Sequence, residues 1–133
     1  MFRSGRHLLA VAVILIASGC GGGSSQNPFR AGTSSIRIAP SVEVTNNNWL
    51  DAVVYATRLG SRIRIGEVTS MSQRVLQVPP GFAGADGSIG IQVTLIGSGE
   101  NFLTDQLYVS ADEMIVVAIQ NHISTSSWAI FPR

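Results

Sequence analysis

Two histidines, His7 and His122, and one cysteine, Cys20, are all that the chain offers as strong bases, thiol nucleophiles or soft metal ligands. Acyl transfer by a serine needs a nucleophile, a base and a group that orients the base. Ser124, Ser126 and Ser127 lie close to His122, but no Gly-x-Ser-x-Gly turn accompanies them. His122 itself falls in a predicted turn, where polar residues collect because they are solvated. Zinc wants several Cys or His, and calcium wants spaced acids. Asp51, Asp86, Glu100 and Asp105 fall near predicted loops and supply the only candidates for a gathered oxygen site, while Asp112-Glu113 reads as a solvated hairpin turn. Paired carboxylates for sugar hydrolysis have no cleft that the sequence specifies. Gly97-Ser98-Gly99 lacks the following helix that would let it cradle a phosphate. The expectation is no catalytic residue, no cofactor and no metal.

Arg58, Arg62 and Arg64 form the one local basic group. Arg62 and Arg64 fall on one side of a predicted strand, where charge guards against edge-to-edge pairing. The alternative is a patch for an acidic partner or lipid headgroups. The chain has no lysine, and its nine arginines stand against eight acids. A balance so near zero gives no reason to expect nucleic acid as a partner.

The start of the chain has its own pattern. Arg3 and Arg6 precede an unbroken apolar run of ten residues, Leu8 to Ala17. As a helix that run reaches about 15 Å, half of a bilayer core of about 30 Å, so it is too short to span. A basic head, a short apolar middle and small residues at the end make a secretory signal peptide. The small residues lead into Cys20, followed by Gly21-Gly22-Gly23-Ser24-Ser25.

Ala17-Ser18-Gly19-Cys20 resembles the lipobox of bacterial lipoproteins, with Ala17 in place of the commoner leucine. The resemblance implies cleavage after Gly19, a thioether-linked diacylglyceryl group on Cys20 and, usually, an acyl chain such as palmitate on the new amino group. Two or more chains hold a protein stably at a bilayer where one holds it only marginally. Gly21 rather than aspartate after the cysteine implies the outer membrane if the envelope is Gram-negative, with the domain facing the periplasm or the surface.

Removing residues 1–19 from 133 leaves 114, room for one domain with a single core, and a charge of seven arginines against eight acids. Cys20 is the only cysteine, so the fold rests on apolar burial without a disulfide. Residues 20–39 form the lipidated Cys and a flexible tether, poor in apolar side chains, although Ile36 and Ile38 alternate with Arg37 in the manner of a short edge piece.

From Pro40 the dominant period is two, the mark of half-buried strands. Val42 and Val44 alternate with Glu43 and Thr45. A run over 52–58 follows the turn cluster Asn46-Asn47-Asn48, and Ile63 and Ile65 alternate with Arg62 and Arg64. Ile89, Ile91, Val93 and Leu95 define the longest strand. A strand is predicted over 104–109, Met114 to Ile119 reads as a covered central strand, and 126–131 closes the chain. No stretch of ten or more residues has helical spacing after the leader. The fold class is all-β, an antiparallel β-sandwich of about 7–8 strands over 40–133. This pattern resembles immunoglobulin-like and transthyretin-like modules of bacterial surface proteins, and small uncharacterised envelope lipoproteins. No functional residue carries over from that resemblance.

In such a sandwich successive loops alternate between the two ends. The loops at 46–50, 69–73 and 97–103 therefore share one end, opposite to where the tether enters. They carry Trp49, Met71 and Phe102. Exposed, these three would make a contact patch, since aromatic groups supply buried area at interfaces; folded inward, they would plug the core. The expected function is a lipid-anchored cell-envelope protein, a non-catalytic binding or structural module. It would touch the membrane through Cys20 and, through its loops, another envelope protein or glycan. Two alternatives use other features: a small periplasmic enzyme or accessory domain working through His122 and the loop carboxylates, and a chaperone-like module donating a sheet edge to exported strands.

Overall fold

The computed structural model describes residues Ala39–Arg133, so the leader, Cys20 and nearly all of the tether lie outside the described residues. Nine strands follow: β1 (Ser41–Asn46), β2 (Ala52–Arg58), β3 (Ser61–Val68), β4 (Ser72–Gln77), β5 (Ser88–Leu95), β6 (Asn101–Leu103), β7 (Leu107–Tyr108), β8 (Glu113–Ile119) and β9 (Ser127–Pro132). They form two sheets, one ordered β4-β1-β8-β9 and the other β3-β2-β5-β6, with β7 continuing along β5 below β6. The all-β sandwich is thus the observed architecture.

The period-two pattern places the core. Val42 and Val44 of β1, Ile115, Val117 and Ile119 of β8, Val54 and Ala56 of β2, and the four alternate residues Ile89, Ile91, Val93 and Leu95 of β5 are all fully buried between the sheets. Their outward neighbours Glu43, Thr45, Tyr55, Gln92 and Thr94 stay partly exposed. A one-residue slip in any of these strands would turn its whole apolar set to solvent, so the register is firmly specified.

Three features depart from the expected pattern. The β1–β8 pair is parallel, Val44 opposite Val117, so the sandwich is mixed rather than wholly antiparallel. Parallel pairing needs a long crossover, here everything from β2 to β7. In β3, Val54 faces Gly66 but Tyr55 faces Arg64, which leaves Ile65 as the extra residue of a bulge. The strand expected over 104–109 is two pieces, and Thr104 is the reason. Its N–H donates to the Ile91 carbonyl at 2.9 Å, but its own hydroxyl accepts the Ile91 N–H at 2.9 Å and donates to the Asp105 carbonyl at 2.8 Å. The hydroxyl thereby takes the place of a backbone partner in the ladder, and the chain bows away from β5 before β7 rejoins it at Ile89.

Candidate functional site

The end of the sandwich that carries the β1–β2, β3–β4, β5–β6 and β8–β9 connections is held together by three polar side chains. Asn46 is wholly buried. Its amide nitrogen donates to the carbonyls of Leu50 at 2.9 Å and Thr69 at 3.1 Å, with a longer contact to Val68 at 3.3 Å, while its oxygen accepts the Asn48 N–H at 3.0 Å. Asn48, also buried, donates to the carbonyls of Gln120 and Asn121 at 3.1 Å each and accepts the Leu50 N–H at 3.0 Å. The Asp51 carboxylate accepts the Ser70 N–H at 2.7 Å, and its backbone carbonyl accepts the Ile96 N–H at 2.8 Å. Four connections are therefore tied at fixed spacing by groups whose hydrogen bonding is internal. The asparagine run that reads as a turn is also the knot between loops.

On this frame stand exposed apolar side chains. Trp49 is 73% exposed and Met71 57%, and their loops meet where the Met71 N–H donates to the Asn48 carbonyl at 3.2 Å. Met71 adopts φ +54°, a left-handed conformation uncommon for a residue with a side chain. Leu50 and Ile96 add to the same end. Exposed apolar side chains gathered on the tied loops of one end give it the composition that a contact surface would need. Phe102 is a correction. It lies in β6 rather than in a loop, opposite Val93, and packs inward against the core. The strand has only three residues, too short for its alternation to be visible in the sequence.

The other residues singled out from the sequence do not assemble into chemistry. His122 is exposed at the Trp49 end, and among the described residues no hydrogen bond joins its imidazole to a serine or carboxylate. Its carbonyl accepts the Thr125 N–H and hydroxyl at 2.9 and 2.8 Å, and the Ser126 hydroxyl accepts the Gln120 N–H at 3.0 Å. The four loop acids are split between the two ends, Asp51 and Glu100 at one, Asp86 and Asp105 at the other. Among the described residues no group of three His, Cys, Asp or Glu is clustered closely enough to hold a metal. The arginine trio is also divided. Arg62 lies over the Tyr55 ring at 4.5 Å and Arg64 pairs with Glu67 at 2.6 Å, both on exposed β3, whereas Arg58 is half-buried. The Arg58 Nε–H is buried without an acceptor among the described residues.

Arg58 belongs instead to a polar corner at the opposite end. The Asp86 carboxylate accepts the Ser88 N–H at 3.0 Å. The Ser88 hydroxyl and N–H, with a smaller contribution from the Arg58 charge, hold the Asp86 carboxyl below its usual range.

A second feature had no counterpart in the sequence reading. On the outer face of the β3-β2-β5-β6 sheet, two adjoining depressions of about 180 and 370 Å³ share Thr57, Gly60 and Leu103. They lie between the β2–β3 hairpin and the bowed 103–106 segment. The signals that could have pointed to them are a leucine, Leu59, where a two-residue hairpin turn favours Asn or Gly, and a glycine, Gly90, inside β5.

No family model and no curated protein matches the sequence. Among solved structures the chain is similar to an NMR structure of a protein from Eubacterium rectale, with 12% identity over 76% of this chain and 94% of that one and a TM-score of 0.42, a likeness that carries no argument about function.

Proposed function

We propose that the chain is a lipid-anchored cell-envelope protein, held at a membrane through Cys20, whose sandwich is a non-catalytic binding module. In a Gram-negative envelope that membrane is the outer one. The observation that supports this reading best is the exposed Trp49–Met71 end standing on loops already fixed by Asn46, Asn48 and Asp51. A partner that covers this end orders little extra chain, so less of the contact energy is lost to entropy. The partner is another envelope component, protein or glycan.

Without lysine in the chain, amine crosslinkers have no side chain to attack. The test is therefore a photoreactive residue placed at position 71 in intact cells. A discrete adduct is expected with Trp49 present, and its loss in Trp49→Ala at unchanged folding. An adduct indifferent to Trp49→Ala would refute the assignment of this end.

A further inference from the structure

The trough on the outer sheet face is a built feature. Its floor is Gly90 and Thr57, and a Cβ at Gly90 would come within 2.5 Å of the Thr57 hydroxyl. Gly90 is buried and the Thr57 hydroxyl sits where a side chain at 90 would stand, so the two residues pack together as one floor. One wall is the hairpin tip, where Leu59 is 86% exposed at φ +46°. The two-residue turn needs left-handed backbone at both positions, and a leucine there is disfavoured against Asn or Gly while its own side chain stays in solvent. The opposite wall is the bow made by Thr104, led by Leu103 at 63% exposure and followed by Asp105 and Gln106.

Along the upper floor runs a row of planar polar groups already oriented by one another. Arg62 contacts the Gln92 amide oxygen at 3.5 Å while stacked on Tyr55, and the Gln92 nitrogen donates to the Asn101 oxygen at 3.2 Å. That oxygen also accepts the Thr94 hydroxyl at 2.6 Å. The row keeps spare donors, since a guanidinium carries five N–H groups. Charges around the trough are mixed, with Arg58 and Asp105 lining the smaller depression and Arg62 the larger.

We propose that this trough binds a neutral saccharide, one ring lying over Gly90 between Leu59 and Leu103 and its neighbour reaching Gln92 and Arg62. Sugars alone among common envelope ligands combine apolar ring faces with closely spaced hydroxyls and no charge, matching two leucine lips above a row of amide and guanidinium donors. The smaller depression, about 180 Å³, exceeds the roughly 150 Å³ of a cavity that admits a six-membered carbon ring. The adjoining one extends the site past a single ring. The site is independent of the Trp49 end and of the anchor.

The test is an amide NMR titration of the full chain in detergent micelles with tetra-N-acetylchitotetraose and cellotetraose, and tetragalacturonate as the anionic comparator. The expected result is saturable shifts at Gly90, Gln92, Asn101 and Leu103 with at least one neutral probe, with Kd of about 0.1–1 mM as befits a shallow site. Gln92→Ala, which removes an outward side chain, weakens binding about tenfold by deleting one oriented amide, whereas Trp49→Ala leaves it unchanged. Gly90→Ala, whose methyl displaces the Thr57 side chain from the floor, abolishes binding while amide shifts away from the trough stay as in the wild type. No shift at millimolar neutral probe, shifts confined to the Trp49 end, or binding of tetragalacturonate alone that salt removes would each overturn the proposal.

Discussion

Asn46 and Trp49 are three residues apart and divide the work of one loop. Asn46 is 0% exposed, and replacing it with alanine leaves carbonyls at 50 and 69 and the Asn48 N–H without their partner. Each orphaned buried group costs about 1–3 kcal/mol where water cannot reach it. Asn46→Ala is therefore expected to lower stability by roughly 3 kcal/mol in urea unfolding, while Trp49→Ala stays within about 0.5 kcal/mol of wild type, as exposed substitutions do. If Trp49→Ala were the costlier change, the indole would be part of the core. Asp86 makes a second residue-scale case. Its carboxyl is held low by Ser88 in the folded state, so its stabilising contribution is complete above the unfolded value near 3.9 and fades as pH falls through the folded value. Ser88→Ala is expected to raise the Asp86 pKa in an NMR titration and to bring acid unfolding to a higher pH. An unchanged titration would mean that the backbone N–H alone sets it.

At the scale of elements, legibility follows length and partner distance. β5 repeats its apolar residues through Ile89, Ile91, Val93 and Leu95, and all four are buried as the alternation requires. Ile91→Ala is expected to cost about 2–5 kcal/mol, the range for truncating a buried aliphatic side chain. The neighbouring β6 was not readable, since three residues give no period and Phe102 then looks like a loop aromatic. The parallel β1–β8 pair was equally hidden, because nothing local in either strand states which distant strand it will face. The break between β6 and β7 turns on one hydroxyl. Thr104→Val keeps the shape but leaves the Ile91 N–H unpaired, so it should cost about 1–3 kcal/mol and speed hydrogen exchange at Ile91. A neutral Thr104→Val would mean the bow at 104–106 is set by something other than that bond. The candidate surfaces show the same division. The shared end of the first two loops followed from counting strands, but the trough depends on the bow at 103–106 and a left-handed hairpin residue, whose meeting only the assembled sheet reveals.

At the scale of the molecule, the fully buried apolar side chains among the described residues are Val, Ile, Leu and Ala, while every described aromatic residue is half-buried or exposed. A domain built this way closes its core with aliphatic groups from both sheets, backed at its margin by Phe82 and Phe102, and leaves Trp49, Tyr108, Trp128 and Phe131 exposed. The chain has a single cysteine, which lies outside the described residues, so it can form no disulfide within itself and reducing agents should leave its unfolding unchanged. Lipid attachment at Cys20, as proposed, makes a sharp demand that can be tested. No helix among the described residues is long and apolar enough to cross a membrane. On the proposed function, retention at a bilayer rests on acyl chains, an uncleaved leader is the rival, and one substitution separates them. Cys20→Ala removes the acylation site without touching the apolar run at 8–17. If acyl chains hold the protein, the variant appears in the soluble fraction after carbonate washing, and mass spectrometry of the wild type shows a mature N-terminus at Cys20 heavier by its lipid. If the leader holds it, Cys20→Ala still sediments with membranes and the wild-type thiol is unmodified, and the lipid anchor is then abandoned while the binding surfaces of the sandwich stand or fall on their own tests.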